Sequence, residues 1–244
     1  MVKKTRSNRL IHCACVIHGN KYPWLYVERL FNMLTRHSNL PIQLHVYTEH
    51  DRSVPPHMIK HCLDSWPGIQ GPKKSWWYKM HLFNQEHWSG PLLYFDLDTV
   101  IVRNWNWIVD HDPSRLWCIR DFKYLQSPYA YLINSSVMWF DTKVFDYVWQ
   151  QFVQQDIYRV TKTFHGDQNF IQSAVDRSQI RQFDTQKFQS YRWEVLDGGM
   201  DFVRRRARSP GLGCDIAGTC TAVIFHGDPK PHQVSHPVIQ QLWQ

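Results

Sequence analysis

Leu92-Leu93-Tyr94-Phe95-Asp96-Leu97-Asp98 runs from an apolar stretch straight into two carboxylates. Residues two apart in an extended chain project to the same side. Asp96 and Asp98 would therefore present two negative charges together where a hydrophobic strand leaves a core. Adjacent carboxylates repel unless a positive charge lies between them, and hard carboxylate oxygens suit magnesium, calcium and manganese. The other reading of these seven residues is a strand-end turn, in which Asp is simply a favoured loop residue.

The flanking sequence has the rhythm of an α/β protein. Leu10 to Ile17 alternates as a strand, Tyr22 to Leu34 carries apolar residues near helical spacing, and Leu40 to Thr48 predicts a second strand. Glu49 to Lys74, rich in Pro, Gly, Asp and His, reads as loop. Trp76 to Glu86 predicts a helix leading into the strand 92–95. Strand, helix, strand, helix, strand predicts a right-handed parallel sheet. Ligands of such sheets bind outside the carboxyl ends of the strands, where Asp96 and Asp98 fall.

Downstream, Leu116 to Ile119 and Ser136 to Phe140 predict strands, separated by a polar stretch containing Pro128 and Tyr129. Val144 to Val160 predicts one helix, and His165 to Ile171 a polar turn opening another. Ala222 to Phe225 predicts the last strand, which stops at His226-Gly227-Asp228-Pro229-Lys230-Pro231-His232. No repeat, low-complexity tract or linker interrupts the chain, so residues 1–244 read as one domain.

With 43% hydrophobic residues and twelve tryptophans in 244 residues, the chain can bury a substantial core. No apolar run approaches the ~20 residues of a membrane helix, and the apolar patch behind the basic start is too short for a secretory signal. Six cysteines without a CxxC pair predict reduced thiols in a cytoplasmic protein, with Cys214 and Cys220 the one pair whose spacing suggests a small clip. That spacing does not suit zinc. The net charge of +7 raises the question of a polyanion partner, yet its densest run, Arg204-Arg205-Arg206-Ala207-Arg208, reads as a solvated loop without interleaved aromatics.

The two strand-end clusters are chemically complementary. Asp96 and Asp98 offer oxygen ligands, His226 an imidazole nitrogen and Lys230 a point charge for phosphate. A mixed oxygen and nitrogen set leans toward manganese, with magnesium second. Gly227 lets the backbone approach a diphosphate, and Pro229 and Pro231 stiffen the loop that holds Lys230.

Leu92 to Asp98 together with the late His226–His232 cluster resembles the retaining nucleotide-sugar glycosyltransferases of the family 8 type. These have the GT-A fold and an H-x-G-x-x-K-P-W signature; His232 stands where that family has Trp. Asn134-Ser135-Ser136-Val137-Met138 resembles the family's N-x-G-V-M strand, with Ser136 replacing Gly, and Asp167-Gln168 matches its D-Q pair. Lys21 to Leu30 and Trp76-Trp77-Tyr78-Lys79 are similar to a poorly characterised bacterial and viral branch.

The resemblance implies a single-domain, Rossmann-like α/β fold with a mostly parallel central sheet, and a nucleoside-diphosphate sugar donor, UDP-sugar first. It implies that Asp96, Asp98 and His226 hold manganese, or magnesium in its place, and that Lys230 and Gly227 neutralise the diphosphate. Ile17, His18, Gly19 and Tyr22 would face the nucleoside, Leu97 would lie between the two carboxylates at the donor, and Lys79 would add a phosphate contact. Trp76 and Trp77 read as core or wall. Asn134, Asp167 and Gln168 would line the sugar pocket, with Gln168 near the anomeric carbon and Asp167 and Gln168 as the catalytic pair. The acceptor could be a glycan, a lipid-linked saccharide, a protein side chain or a modified DNA base. Two alternatives stand beside it: a haloacid-dehalogenase-like phosphatase, which begins from the same seven residues with Asp96 as nucleophile and Asp98 as acid, and a basic nucleic-acid-binding protein, which begins from the run Arg204 to Arg208.

Overall fold

The computed structural model describes residues 9–66, 69, 74–125, 132–196, 200–201, 206–207 and 216–244, with the backbone alone at 124, 200–201 and 206–207. Expectations placed on the basic start before Arg9, on Pro128 and Tyr129, on Arg204, Arg205 and Arg208, and on Cys214 lie outside those residues.

In chain order the elements are β1 (Ile11–Val16), α1 (Leu25–Arg36), β2 (Ile42–Thr48), β3 (Ile59–Cys62), a 3-10 helix (Ser75–Phe83), β4 (Pro91–Phe95), β5 (Thr99–Ile101), β6 (Leu116–Arg120) and β7 (Ile133–Asp141). Three helices follow, α2 (Thr142–Val153), α3 (Ile157–Thr163) and α4 (Asp167–Ala174), then β8 (Ile180–Gln182) and β9 (Phe188–Ser190). The hairpin β10 (Met200–Asp201) and β11 (Arg206–Ala207), then β12 (Ala222–Ile224) and α5 (Pro237–Leu242), complete them. Seven strands form one sheet in the order β3-β2-β1-β4-β7-β6-β8, and β5-β12-β9 form a small second sheet. Every neighbouring pair of the large sheet is parallel except the two made by β7, which runs antiparallel to β4 and β6.

Period-two alternation sorts the large sheet's side chains onto two buried faces. Cys13, Cys15, Leu93, Phe95, Val137 and Trp139 pack on α1 and the small sheet. Ala14, Leu92, Tyr94, Met138 and Phe140 pack on the 3-10 helix, α2 and α4. A sheet covered on both sides leaves its strand ends as the place where polar chemistry can collect.

Four expectations shift. The first helix begins at Leu25, because Pro23 and Trp24 form its opening turn and accept from Tyr26 N and Val27 N; Tyr22 is thereby left outside the helix. β3 lies inside the stretch read as loop. It is a short edge strand in which only His61 is buried, so it shows no apolar alternation. The helix expected over Trp76 to Glu86 is a 3-10 helix, and it spans Ser75–Phe83. The single helix expected over 144–160 is two, because Asp156 accepts from Tyr158 N and Arg159 N and so caps a new one.

Candidate active site

The carboxyl ends of β1, β4 and β6 share one edge of the sheet, and β7, being antiparallel, starts at that edge with Ile133-Asn134-Ser135. The chain turns directly after β4, where Thr99 N donates to Asp96 O at 3.1 Å. This turn overrides the extended spacing on which the sequence argument relied. Asp96 and Asp98 still line one cleft, but each meets its own lysine.

Asp96 continues the face of Tyr94, whose hydroxyl donates to Asp96 Oδ1 at 2.5 Å. Lys79 Nζ lies 3.0 Å from the same oxygen and 3.3 Å from Asp167 Oδ2. The ammonium also donates to Ser135 Oγ at 3.0 Å, and Ser135 Oγ donates to Asp167 at 2.6 Å. Burial alone pushes the Lys79 ammonium down, yet Asp167 and Asp96 outweigh it and the net direction is up. Burial likewise pushes Asp96 up, and Lys79 with the Tyr94 and Ser136 hydroxyls brings it below the ordinary carboxylate range. Both partners therefore favour the charged pair.

Asp98 is reached from the small sheet. Antiparallel pairing of Thr99 with Ile224 sets the residue before β5 beside the residues after β12. Lys230 Nζ donates to Asp98 Oδ2 at 2.6 Å and to Phe225 O at 3.2 Å. Tyr22 Oη donates to the same carboxylate oxygen at 2.7 Å. Burial, then the charge of Asp98, pushes the Tyr22 phenol up, so it stays a donor. Gly227 sits at φ +72°, the left-handed region, and a Cβ there would lie 3.2 Å from Arg192 Nη1.

The other expected residues divide. His18 lines the cleft and stacks on Tyr78 at 3.9 Å between ring centroids. Leu97 lines it too. Gly19 is held by Glu49, which accepts from its N–H, and by Arg52, which donates to its carbonyl. Ile17 does not face the cleft; it is 1% exposed in the core. Asn134 turns its side-chain oxygen to Ser136 N at 2.8 Å, and its neighbour Ser135 makes the contact with Lys79 and Asp167. Gln168 Nε2 donates to Asp121 Oδ2 at 3.0 Å.

His226 is not brought to the carboxylates. Its Nε2 lies 2.6 Å from Ser190 Oγ, and its ring stacks on Phe122 and meets Trp193 edge-on. Burial holds the imidazole down at about 4, with Asp121 pulling the other way. The likeness to H-x-G-x-x-K-P-W is looser than the residue order suggests: His226 and Gly227 are consecutive, one residue closer than in the signature. His232, at the signature's Trp position, instead pairs with Tyr26 of α1, Oη to Nδ1 at 2.5 Å.

Three site residues escaped the sequence reading. Asp121 follows β6 as Asp96 follows β4, so its signal was the strand-end acid after Leu116-Trp117-Cys118-Ile119-Arg120. Ser135 was hidden beside Asn134. Lys21 lines the cleft, and burial, then Lys230, lowers its ammonium.

The residues expected to hold manganese do not, as arranged, fit a three-ligand site. Asp96 and Asp98 face lysines, His226 faces Ser190, and among the described residues no group of three His, Cys, Asp or Glu side chains is placed to hold a metal ion.

No family model matches the sequence, and no curated protein does. Solved structures do match the fold. An active-site mutant of LgtC aligns with 11% identity over 95% of this chain and 94% of its own, at a TM-score of 0.63. The galactosyltransferase LgtC in complex with donor and acceptor sugar analogues aligns at 0.61, with 12% identity over 96% and 95% of the two chains. GlyE, a glycosyltransferase of Streptococcus pneumoniae TIGR4, aligns at 0.65, with 12% identity over 96% of this chain and 60% of its own. The chain has the GT-A fold of these glycosyltransferases. At such identity the likeness is one of architecture: a mostly parallel α/β sheet with a cleft at its carboxyl edge.

Proposed function

We propose that the chain transfers a sugar from a nucleoside-diphosphate sugar, a UDP-sugar first, to an acceptor, with retention at the anomeric carbon. The observation that carries this reading is the cleft at the carboxyl edge of a GT-A sheet, where Asp96, Asp98, Lys79 and Lys21 meet and Lys230 reaches in to Asp98. A leaving diphosphate gains negative charge as its bond to the sugar breaks. Lys230 and Lys21 are placed to balance that charge, and preorganised cations in a partly buried cleft are effective at this. Lys230 meets phosphate by exchanging one anionic partner, Asp98, for another. His18 and Tyr22 form the nucleoside side. Asp167, held by Lys79 and Ser135, and Gln168, held by Asp121, are proposed to line the sugar.

A manganese or magnesium requirement is a separate proposal, resting on Asp96 and Asp98 as hard oxygen donors. Its check is whether either ion stabilises the wild type and fails to stabilise Asp98→Asn. The phosphatase reading needs Asp96 as a free nucleophile, whereas Lys79 and Tyr94 both engage its Oδ1.

A melting-temperature screen with UDP-glucose, UDP-galactose, UDP-N-acetylglucosamine and GDP-mannose tests the reading, each with and without manganese. Ligand at a hundred times its Kd adds about 2.7 kcal/mol, a rise of roughly 5–10 °C for a chain of this size. Hydrolysis of p-nitrophenyl phosphate without any shift from a nucleotide sugar would overturn it.

A further inference from the structure

Of the twelve tryptophans, Trp76 alone is exposed, at 36%. Its element is not a surface one: every residue from Trp77 to Phe83 of the same 3-10 helix is buried. Trp76 lines the cleft that holds Lys79, Asp96 and Asp98. Its indole Nε1 lies 3.6 Å from the point where a Cβ on Gly166 would sit. Gly166 is the N-cap of α4, immediately before Asp167, so the ring lies against the backbone on the Asp167 side of the cleft. Among the described residues the indole stacks on no other aromatic ring and its N–H meets no acceptor.

A large ring left open at the mouth of a charged cleft is a ready-made platform for a flat, partly apolar surface. A pyranose offers one, because its C–H bonds project from its faces and its hydroxyls from its rim. Lys21 and Lys230 supply the charge a donor diphosphate needs, and His18 and Tyr22 lie on the nucleoside side. With the transferred sugar beside Asp167 and Gln168, the open rim of the cleft at Trp76 is left for the ring that receives it. Resting on the transferase reading above, we propose that Trp76 is the acceptor platform and that the acceptor is a carbohydrate. The indole takes the C–H face of a pyranose and determines acceptor specificity.

The test uses methyl β-lactoside and methyl α-glucoside as probes, with the donor found by the melting screen. Trp76→Ala should raise the acceptor KM about tenfold, corresponding to ~1.4 kcal/mol, while kcat and the donor KM change less than threefold. Trp76→Phe should recover most of the loss. In parallel, the glycosides should quench tryptophan fluorescence in the wild type and not in Trp76→Phe. An unchanged acceptor KM overturns the proposal. So does a Trp76-specific fluorescence change with UDP alone, which would make the ring a nucleobase platform. If no donor is turned over by the wild type, the transferase reading fails, and the fluorescence titration still decides whether Trp76 receives a sugar ring.

Discussion

Lys79 holds together two elements that have no other reason to meet at their charged tips. The residue is 6% exposed, and its ammonium lies between Asp96 at the end of β4 and Asp167 at the start of α4. Replacing it with methionine leaves two carboxylates facing each other across an apolar side chain. Breaking a buried pair by removing one partner costs about 3–5 kcal/mol, which lowers the melting temperature by roughly 10 °C in a chain of this length. Lys79→Arg keeps the charge and should recover most of that. Calorimetry at neutral pH reads both, and a Lys79→Met melting point within ~2 °C of wild type would remove the hub. The sequence marked Lys79 through its Trp76-Trp77-Tyr78-Lys79 setting and assigned it to phosphate. It could not show that the side chain is already committed, because both partners are distant in the chain and become neighbours only when β4 and α4 pack. His226 failed for a similar reason. Its neighbours Ser190, Phe122 and Trp193 come from β9, the segment after β6 and the turn after β9, none of which its own heptapeptide specifies.

At the scale of elements, the strands of the left half of the sheet carry an unusual load of buried histidine. His12 Nδ1 lies 2.9 Å from His45 Nε2, and His45 Nδ1 lies 2.8 Å from His61 Nε2, a chain crossing β1, β2 and β3. His81 of the 3-10 helix and His87 of the turn after it lie 3.3 Å apart and extend the cluster, with His87 packed edge-on to His61. A neutral imidazole has one donor and one acceptor, so neutral rings can pair donor to acceptor along the chain, whereas two adjacent protonated rings would set N–H against N–H. Burial lowers all five, His45 to about 3, His61 to about 4 and His81 to about 3. The unfolded chain protonates these rings near pH 6.5 and the folded chain does not. Their contribution is therefore fully present above pH 6.5 and is lost as pH falls below it, by up to ~1.4 kcal/mol per pH unit for each of the buried rings His45, His61 and His81. Urea midpoints should fall steeply between pH 7 and 5, and His45→Gln should flatten that slope. A midpoint constant over the range would contradict the prediction. Of the strands that carry these rings, β1 and β2 were legible as strands from the sequence. β3, β5, β8, β9 and α5 were not, because elements of three to six residues bury too few side chains to show a period.

At the scale of the molecule, the large and small sheets meet at the cleft: β4 supplies Asp96 from one, and the β5–β12 pairing supplies Asp98 and Lys230 from the other. That meeting explains how Asp98 and Lys230, from two clusters more than a hundred residues apart, come into contact, while His226 pairs with Ser190 instead. Complementary charge at two strand ends was visible in the chain; the parallel pairing of β12 with β9, with Ile224 beside Ser190, that brings His226 to Ser190 was not. The central claim is that this junction binds and activates a nucleotide-sugar diphosphate through Lys230. It is tested most directly by the release of UDP from the donor identified in the melting screen, followed for wild type and Lys230→Ala with the lactoside present. The account predicts turnover by the wild type and a loss of about a hundredfold in the variant, the usual scale for removing one charge-stabilising group, read at a temperature where circular dichroism shows the variant folded, because removing Lys230 also takes the ionic partner from Asp98. Undiminished UDP release by Lys230→Ala, or no release by the wild type, would contradict it.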